Sequence, residues 1–282
     1  MQNILVPTDF SDNARKAVDF AAQLCQRIGA SLHLIHSFIL LDNVFIDRQG
    51  MRAAWNEQQK TEHTAALLKE QQYINERFPS IEVQTHLFSG PTDNVLLSYC
   101  ERAHIELVIM GTQGASGIAE VLVGSVTSSF IGVSPIPVMA IPKDFNGQVP
   151  KFMVLAVRSF EYEPRKIDIV FSLAAFLDIP VKLIKFTDED ESDAYMEQEA
   201  HKLEDHAKKL KSFYPLTRVS SVLLEGDEFE ETMQDFCNQN GIGILCMLTF
   251  HRSFWDKFFN PSMTKKMAFH TKVPLLAVPI MS

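Results

Sequence analysis

Apolar residues along this chain alternate between short continuous runs and longer stretches of helical spacing. Residues 4–8 form a strand-length apolar run. Ser11 stands where a helix N-cap belongs, and Ala14, Val18, Ala21, Leu24 and Cys25 recur at helical intervals until Gly29 stops the pattern. Residues 32–38 read as a second strand, 57–77 as a helix closed by Pro79, and 81–88 as a third strand. Residues 91–102 read as a helix with proline in its first turn. A fourth strand at 107–110, a helix at 118–132 and a fifth strand at 136–141 complete the series. Strands that alternate with helices predict a parallel sheet covered on both faces.

The pattern then repeats from 152 to 279. Displaced by 137 residues, Ile136-Pro137-Val138-Met139-Ala140-Ile141-Pro142 falls on Val273-Pro274-Leu275-Leu276-Ala277-Val278-Pro279, and Leu107-Val108-Ile109-Met110 falls on Ile244-Leu245-Cys246-Met247. Cys100 falls on Cys237. A period this long means duplicated domains. The expected architecture is α/β: two tandem flavodoxin-like (Rossmann-like) doubly wound domains, each with a five-stranded, mostly parallel sheet. The expected boundaries are 1–143, a linker at 144–150, and 151–282. Residues 39–56 read as a long loop that packs its own apolar side chains, with a lid or a contact surface as the alternatives.

Composition narrows the function. The 282 residues carry a formal charge of −9 without a basic run, which argues against nucleic acid as a partner. No apolar stretch is long enough to span a bilayer, and no signal-peptide pattern opens the sequence. Cys25, Cys100, Cys237 and Cys246 form no CxxC pair, which suits reduced thiols in the cytoplasm. His201 and His206 are five apart and share no helix face, so they make no metal pair.

In doubly wound sheets ligands bind beyond the carboxyl ends of the strands, where strand order reverses. After the fourth strand comes Gly111-Thr112-Gln113-Gly114-Ala115-Ser116-Gly117, and then Gly124-Ser125-Val126 ahead of a helical stretch. Glycines let backbone N–H groups approach an anion, and a serine at a helix start can donate its hydroxyl to phosphate. After the first strand comes Pro7-Thr8-Asp9, where an acid also serves as an ordinary turn or cap residue.

Gly111, Gly114, Gly124 and Ser125 stand in the register of the G-2x-G-9x-G-[S/T] signature, so the chain resembles the universal stress protein family. Pro7-Thr8-Asp9, His36-Ser37 and the strand at 136–142 resemble that family's other landmarks, although Ser37 replaces a usual valine. The resemblance implies ATP or a related adenine nucleotide as ligand. Pro7, Thr8 and Ser37 would border adenine, and Met110 and Gly111 would line base and ribose. Asp9 would touch ribose or phosphate-bound Mg²⁺. Gly114, Gly124, Ser125 and Val126 would hold phosphates. The resemblance also implies pairing of the last strands, here 136–141 with 273–280 within one chain, with other faces left for homo-oligomers.

Between residues 111 and 124 there is no Lys or Arg, and no GxxxxGK[ST] occurs, so binding is expected without efficient hydrolysis. In the second copy Leu248, His251, Phe254 and Pro261 replace the glycines, and Val157-Arg158-Ser159 replaces Pro7-Thr8-Asp9. That copy is expected to bind no nucleotide. Its cluster of Phe254, Trp255, Phe258 and Phe259 reads as pocket filling or an interface, with an apolar ligand site as the alternative. A scaffold without nucleotide, and an enzyme of the same fold class, are the competing readings. No catalytic dyad or triad supports the second of these.

Overall fold

A computed structural model describes residues 1–41, 51–112, 125–160, 162–187, 191–241, 243–249 and 273–280. The chain divides into two compact units, Met1–Phe130 and Ile131–Ser282.

The first unit runs β1 (Asn3–Pro7), α1 (Asp12–Ile28), β2 (Ser31–Phe38), α2 (Met51–Arg77), β3 (Val83–Ser89), α3 (Thr92–Arg102) and β4 (Leu107–Gly111), and α4 (Ser125–Val133) follows. Its strands lie in the order β3-β2-β1-β4, and each pairing described is parallel. This is the Rossmann-type order. The flavodoxin order would set the third strand beside the first. Because β1 lies between β2 and β4, strand order reverses there and a crevice opens beyond the carboxyl ends of β1 and β4. All of Leu107–Met110 is buried, which explains the unbroken apolar run of that strand.

Local chemistry sets the helix ends. Ser11 caps α1, its side chain accepting from the Ala14 N–H at 3.2 Å. Gly29 ends the helix in the left-handed region at φ 70°, and its N–H donates to the Cys25 carbonyl. Helix α2 starts at Met51, earlier than the expected 57, so the end of the stretch read as a loop is helical. Residues 51–56 are mostly good helix formers, yet Met51 and Trp55 are exposed. Propensity rather than apolar spacing builds this first turn. The local packing expected of residues 39–41 and Trp55 is not adopted: Ile39 is 80% exposed and Trp55 50%. Residues 42–50 lie outside the described residues.

The second unit runs β5 (Val138–Ile141), β6 (Met153–Ala156), a 3-10 turn at Pro164–Ile167, α5 (Asp168–Leu177), β7 (Val181–Thr187), α6 (Asp193–Phe213), β8 (Val219–Glu225), α7 (Phe229–Asn240), β9 (Ile244–Thr249) and β10 (Leu275–Pro279). Its order is β5-β10-β9-β6-β7-β8, so strands β6 to β10 repeat the first unit's pattern. Strand β5, the last strand of the first sequence repeat, pairs antiparallel with β10, with Ala140 opposite Leu275 and Val138 opposite Ala277. This is the expected pairing of last strands. It also explains why the compact units divide before β5 rather than after it. Phe152, Val154, Ile184, Met233, Cys237, Leu245, Met247 and Val273 form a core cluster in this unit.

Candidate functional site

Beyond the end of β1 the backbone turns sharply toward α1. The Thr8 N–H donates to the Ile35 carbonyl at 2.8 Å, which ties the turn to β2. The Phe10 N–H donates to Thr8 Oγ1 at 3.0 Å, and the Ser11 N–H to Asp9 Oδ1 at 3.0 Å. Thr8 is buried and Asp9 is exposed. The Asp9 carboxylate thus caps the turn with one oxygen and faces outward at the switch point.

Beside it, β4 ends at Gly111. A Cβ built there would lie 2.7 Å from Asn13 Nδ2 and 2.9 Å from the Asn13 carbonyl oxygen. Helix α1 therefore packs its first turn directly onto this glycine. The Gly111 carbonyl accepts from Thr127 Oγ1 at 2.8 Å, which ties α4 to the same strand end. Thr112 is buried, and Val126 is 44% exposed at the start of α4. The Met110 side chain is buried in the core. Ser37, at the end of β2, shares a hydrogen bond with Thr92 Oγ1 at 2.8 Å.

The structure thus brings together the ends of β1, β2 and β4, carrying Pro7, Thr8, Asp9, Ser37, Met110 and Gly111, with the start of α4 at Ser125 and Val126. Gly114 and Gly124 lie outside the described residues. Among the described residues no group of three or more potential metal-ligating side chains gathers.

The corresponding strand ends in the second unit carry different chemistry. The Val157 N–H donates to the Ile184 carbonyl at 2.9 Å, the same bond that Thr8 makes to Ile35. The parallel pairings agree, since Ile4 lies opposite Leu107 and Met153 opposite Ile244. Val157 is therefore the counterpart of Thr8 and Arg158 that of Asp9. The correspondence expected from sequence is off by one residue, because hydrogen bonding rather than apolar similarity sets the register. At Gly111's place stands the buried Leu248. The helix there begins only at Asp168, after a 3-10 turn, and lacks the early turns of α1.

Sequence reasoning passed over the aromatic packing behind the turn. His36 Nδ1 lies 2.7 Å from the Thr8 carbonyl oxygen. The ring centroids of Phe10 and His63 each lie 4.5 Å from that of His36.

A parallel-stranded α/β unit with a glycine-ended strand and an acidic turn at its switch point has the form of a doubly wound, Rossmann-type unit. The model of the universal stress protein family matches residues 1–142, and the chain belongs to that family. A universal stress protein of Methanocaldococcus jannaschii is 26% identical over 142 residues, covering 50% of this chain and 82% of the relative. The universal stress protein YxiE of Bacillus subtilis is 25% identical, covering 49% of this chain and 97% of its own length. In the crystal structure of a universal stress protein from Archaeoglobus fulgidus the fold recurs over 99% of this chain and 98% of that one, at a TM-score of 0.72 and 14% identity.

Proposed function

We propose that residues 1–143 bind ATP or a related adenine nucleotide in a regulatory role, that 144–150 connect the repeats, and that residues 151–282 bind no nucleotide. The observation that carries this reading is the placement of the Asp9 turn beside Gly111 at the switch point, with Ser125 opening a helix next to them. A helix N-terminus and backbone N–H groups suit phosphate, and an outward carboxylate suits a phosphate-bound divalent ion. Asp9 would hold Mg²⁺ there. With the Met110 side chain buried, its contact with base or ribose would come from backbone. The same holds for Ser37, whose hydroxyl is engaged by Thr92.

In the second unit Arg158 replaces the acid, and Leu248 fills the place of Gly111. The absence of Lys and Arg between residues 111 and 124 favours retention over cleavage. Mass spectrometry of small molecules released by denaturing freshly purified protein tests the reading, together with calorimetry of ATP and cyclic nucleotides with and without Mg²⁺. One adenine nucleotide per chain is expected. Failure of every adenine nucleotide to bind would favour a scaffold role.

A further inference from the structure

Behind the turn sits a pair of histidines that the nucleotide reading leaves unused. His36, on β2, is buried. Because Nδ1 lies 2.7 Å from the Thr8 carbonyl oxygen, that nitrogen carries the proton and donates. Nε2 is then an acceptor, buried without a hydrogen-bond partner. His63 reaches in from α2, its ring tilted 37° against His36 and 5.0 Å from Phe38. Phe10 packs beside both rings, its centroid 4.5 Å from that of His36 and 6.5 Å from that of His63, from a backbone at φ 64°, a left-handed conformation that an aromatic residue adopts at a cost. Packing on His36 therefore helps to hold the strained residue next to Asp9.

The second unit shows what the same two positions become without a nucleotide signature. Leu32 pairs with Val83, and Val181 pairs with Val219, which makes Lys185 the counterpart of His36. The Phe78 N–H bonds the Ile74 carbonyl and the Ile81 N–H bonds that of Phe78; Tyr214, Leu210 and Thr217 repeat this pattern. Glu199 is therefore the counterpart of His63. Lys185 and Glu199 form a salt bridge that Lys202 supports at 2.8 Å. Both repeats thus couple the second strand to the following helix at the same point. One uses a permanent ion pair and the other two imidazoles.

We infer that His36 is a positioning residue for the Thr8–Phe10 turn, and that its burial between the turn and His63 makes the hold proton-dependent. A neutral His36 fastens α2 to the turn; a proton on it loosens the hold. The consequence for nucleotide affinity rests on the proposed function, but the loosening itself does not.

Among the described residues, the titratable groups whose charge acts on His36 are His63 from α2, against its ring, and Asp9 from the turn. Burial lowers the proton affinity of His36, the Thr8 carbonyl opposes this, His63 lowers it further and Asp9 raises it. The net direction is down. An opened turn, with His36 in water, takes up a proton below about pH 6.5, whereas the closed turn resists it. The closed turn is therefore favoured in full above that pH and loses its advantage as pH falls through it.

The test is nucleotide affinity by calorimetry from pH 5.5 to 8, with protection of the Phe10 amide by hydrogen exchange over the same range. Wild type should lose about tenfold in affinity toward acid pH, beyond the ligand's own titration. His36→Leu removes the donor to Thr8 and should cost about tenfold at pH 8. His36→Asn keeps an N–H near the Nδ1 position and should recover most of that loss, with a flattened pH profile. His63→Gln should bind as wild type at pH 8 and keep most of the acid dependence, because the burial of His36 remains. Equal pH profiles for wild type and His36→Asn in folded protein would overturn the inference. If no adenine nucleotide binds, the proposed function fails and the Phe10 amide decides alone. Acid loss of protection in wild type but not in His36→Asn supports the latch, and identical profiles refute it.

Discussion

Replacing Gly111 with alanine tests the packing on which the site is built. The added Cβ would meet Asn13 Nδ2 at 2.7 Å, its carbonyl oxygen at 2.9 Å and its carbonyl carbon at 3.0 Å. Two of these three are backbone atoms of α1, so no side-chain rotation clears the clash. Either β4 or the first turn of α1 must shift. Overpacking of this kind costs about 1–3 kcal/mol. Because a folded chain of two units need not unfold in one step, the measurement should be local. Exchange of the Ala14 and Arg15 amides, which bond Ser11 Oγ and the Ser11 carbonyl, reports the first turn of α1 directly. The expected loss of protection is about 5- to 150-fold, since 1.4 kcal/mol is a factor of ten. ATP affinity should fall with it. Gly132→Ala is the control: its Cβ would meet nothing within 4 Å, and helix propensity should make it neutral or slightly stabilising. Unchanged protection in Gly111→Ala would refute the close approach of α1 to β4.

Further outcomes follow from other parts of the chain. Gly124→Val should lower ATP affinity more than about tenfold in a folded protein, because the proposed site needs backbone to approach phosphate there; unaltered affinity would exclude the loop. Calorimetry should give at most one nucleotide per chain, and two equivalent sites would contradict the reading of Arg158 and Leu248. Burial pushes the Cys25 and Cys100 thiols up to about 12 and Cys237 up to about 11, so native protein at pH 8 should react with a thiol reagent only slowly and urea-unfolded protein at once. Lys185 and Lys202 hold the Glu199 carboxyl below its usual range, so its stabilisation is complete above the unfolded carboxylate value and is lost as pH falls through the folded one. Glu199→Gln should therefore cost about 3 kcal/mol near neutrality and progressively less in acid, as denaturant titrations would show.

Strand and helix order was legible because each β4-type strand is apolar on both faces and each helix is punctuated by Gly or Pro. Gly29, Pro79 and Pro91 marked their boundaries well. The order of strands within the sheet was not legible, since periodicity says nothing about which neighbour a strand chooses. Gly111 was read as a residue for approaching an anion, yet its measurable neighbour is Asn13, a packing contact that only the fold creates. The match of Asp9 to Arg158 needed the bond from Val157 to Ile184, because the segments around β1 and β6 share too little for alignment. His36 stood out only as half of the His36-Ser37 landmark, and its pairing with His63 carried no signal. They lie on different elements, and only the crossover from β2 to α2 brings their rings together.

The antiparallel partnership of Ala140 with Leu275 joins residues 135 positions apart. Synthesis proceeds at roughly 5–20 residues per second, so the ribosome exposes β5 on the order of ten seconds before β10 emerges. For that interval Val138–Ile141 lacks the partner strand against which it is hydrogen-bonded in the finished protein. A bare, apolar strand edge is a docking point for other nascent chains. Ribosomes that stall between the two strands should therefore yield products prone to aggregation, and chaperone demand should peak there rather than during synthesis of β1 to β4.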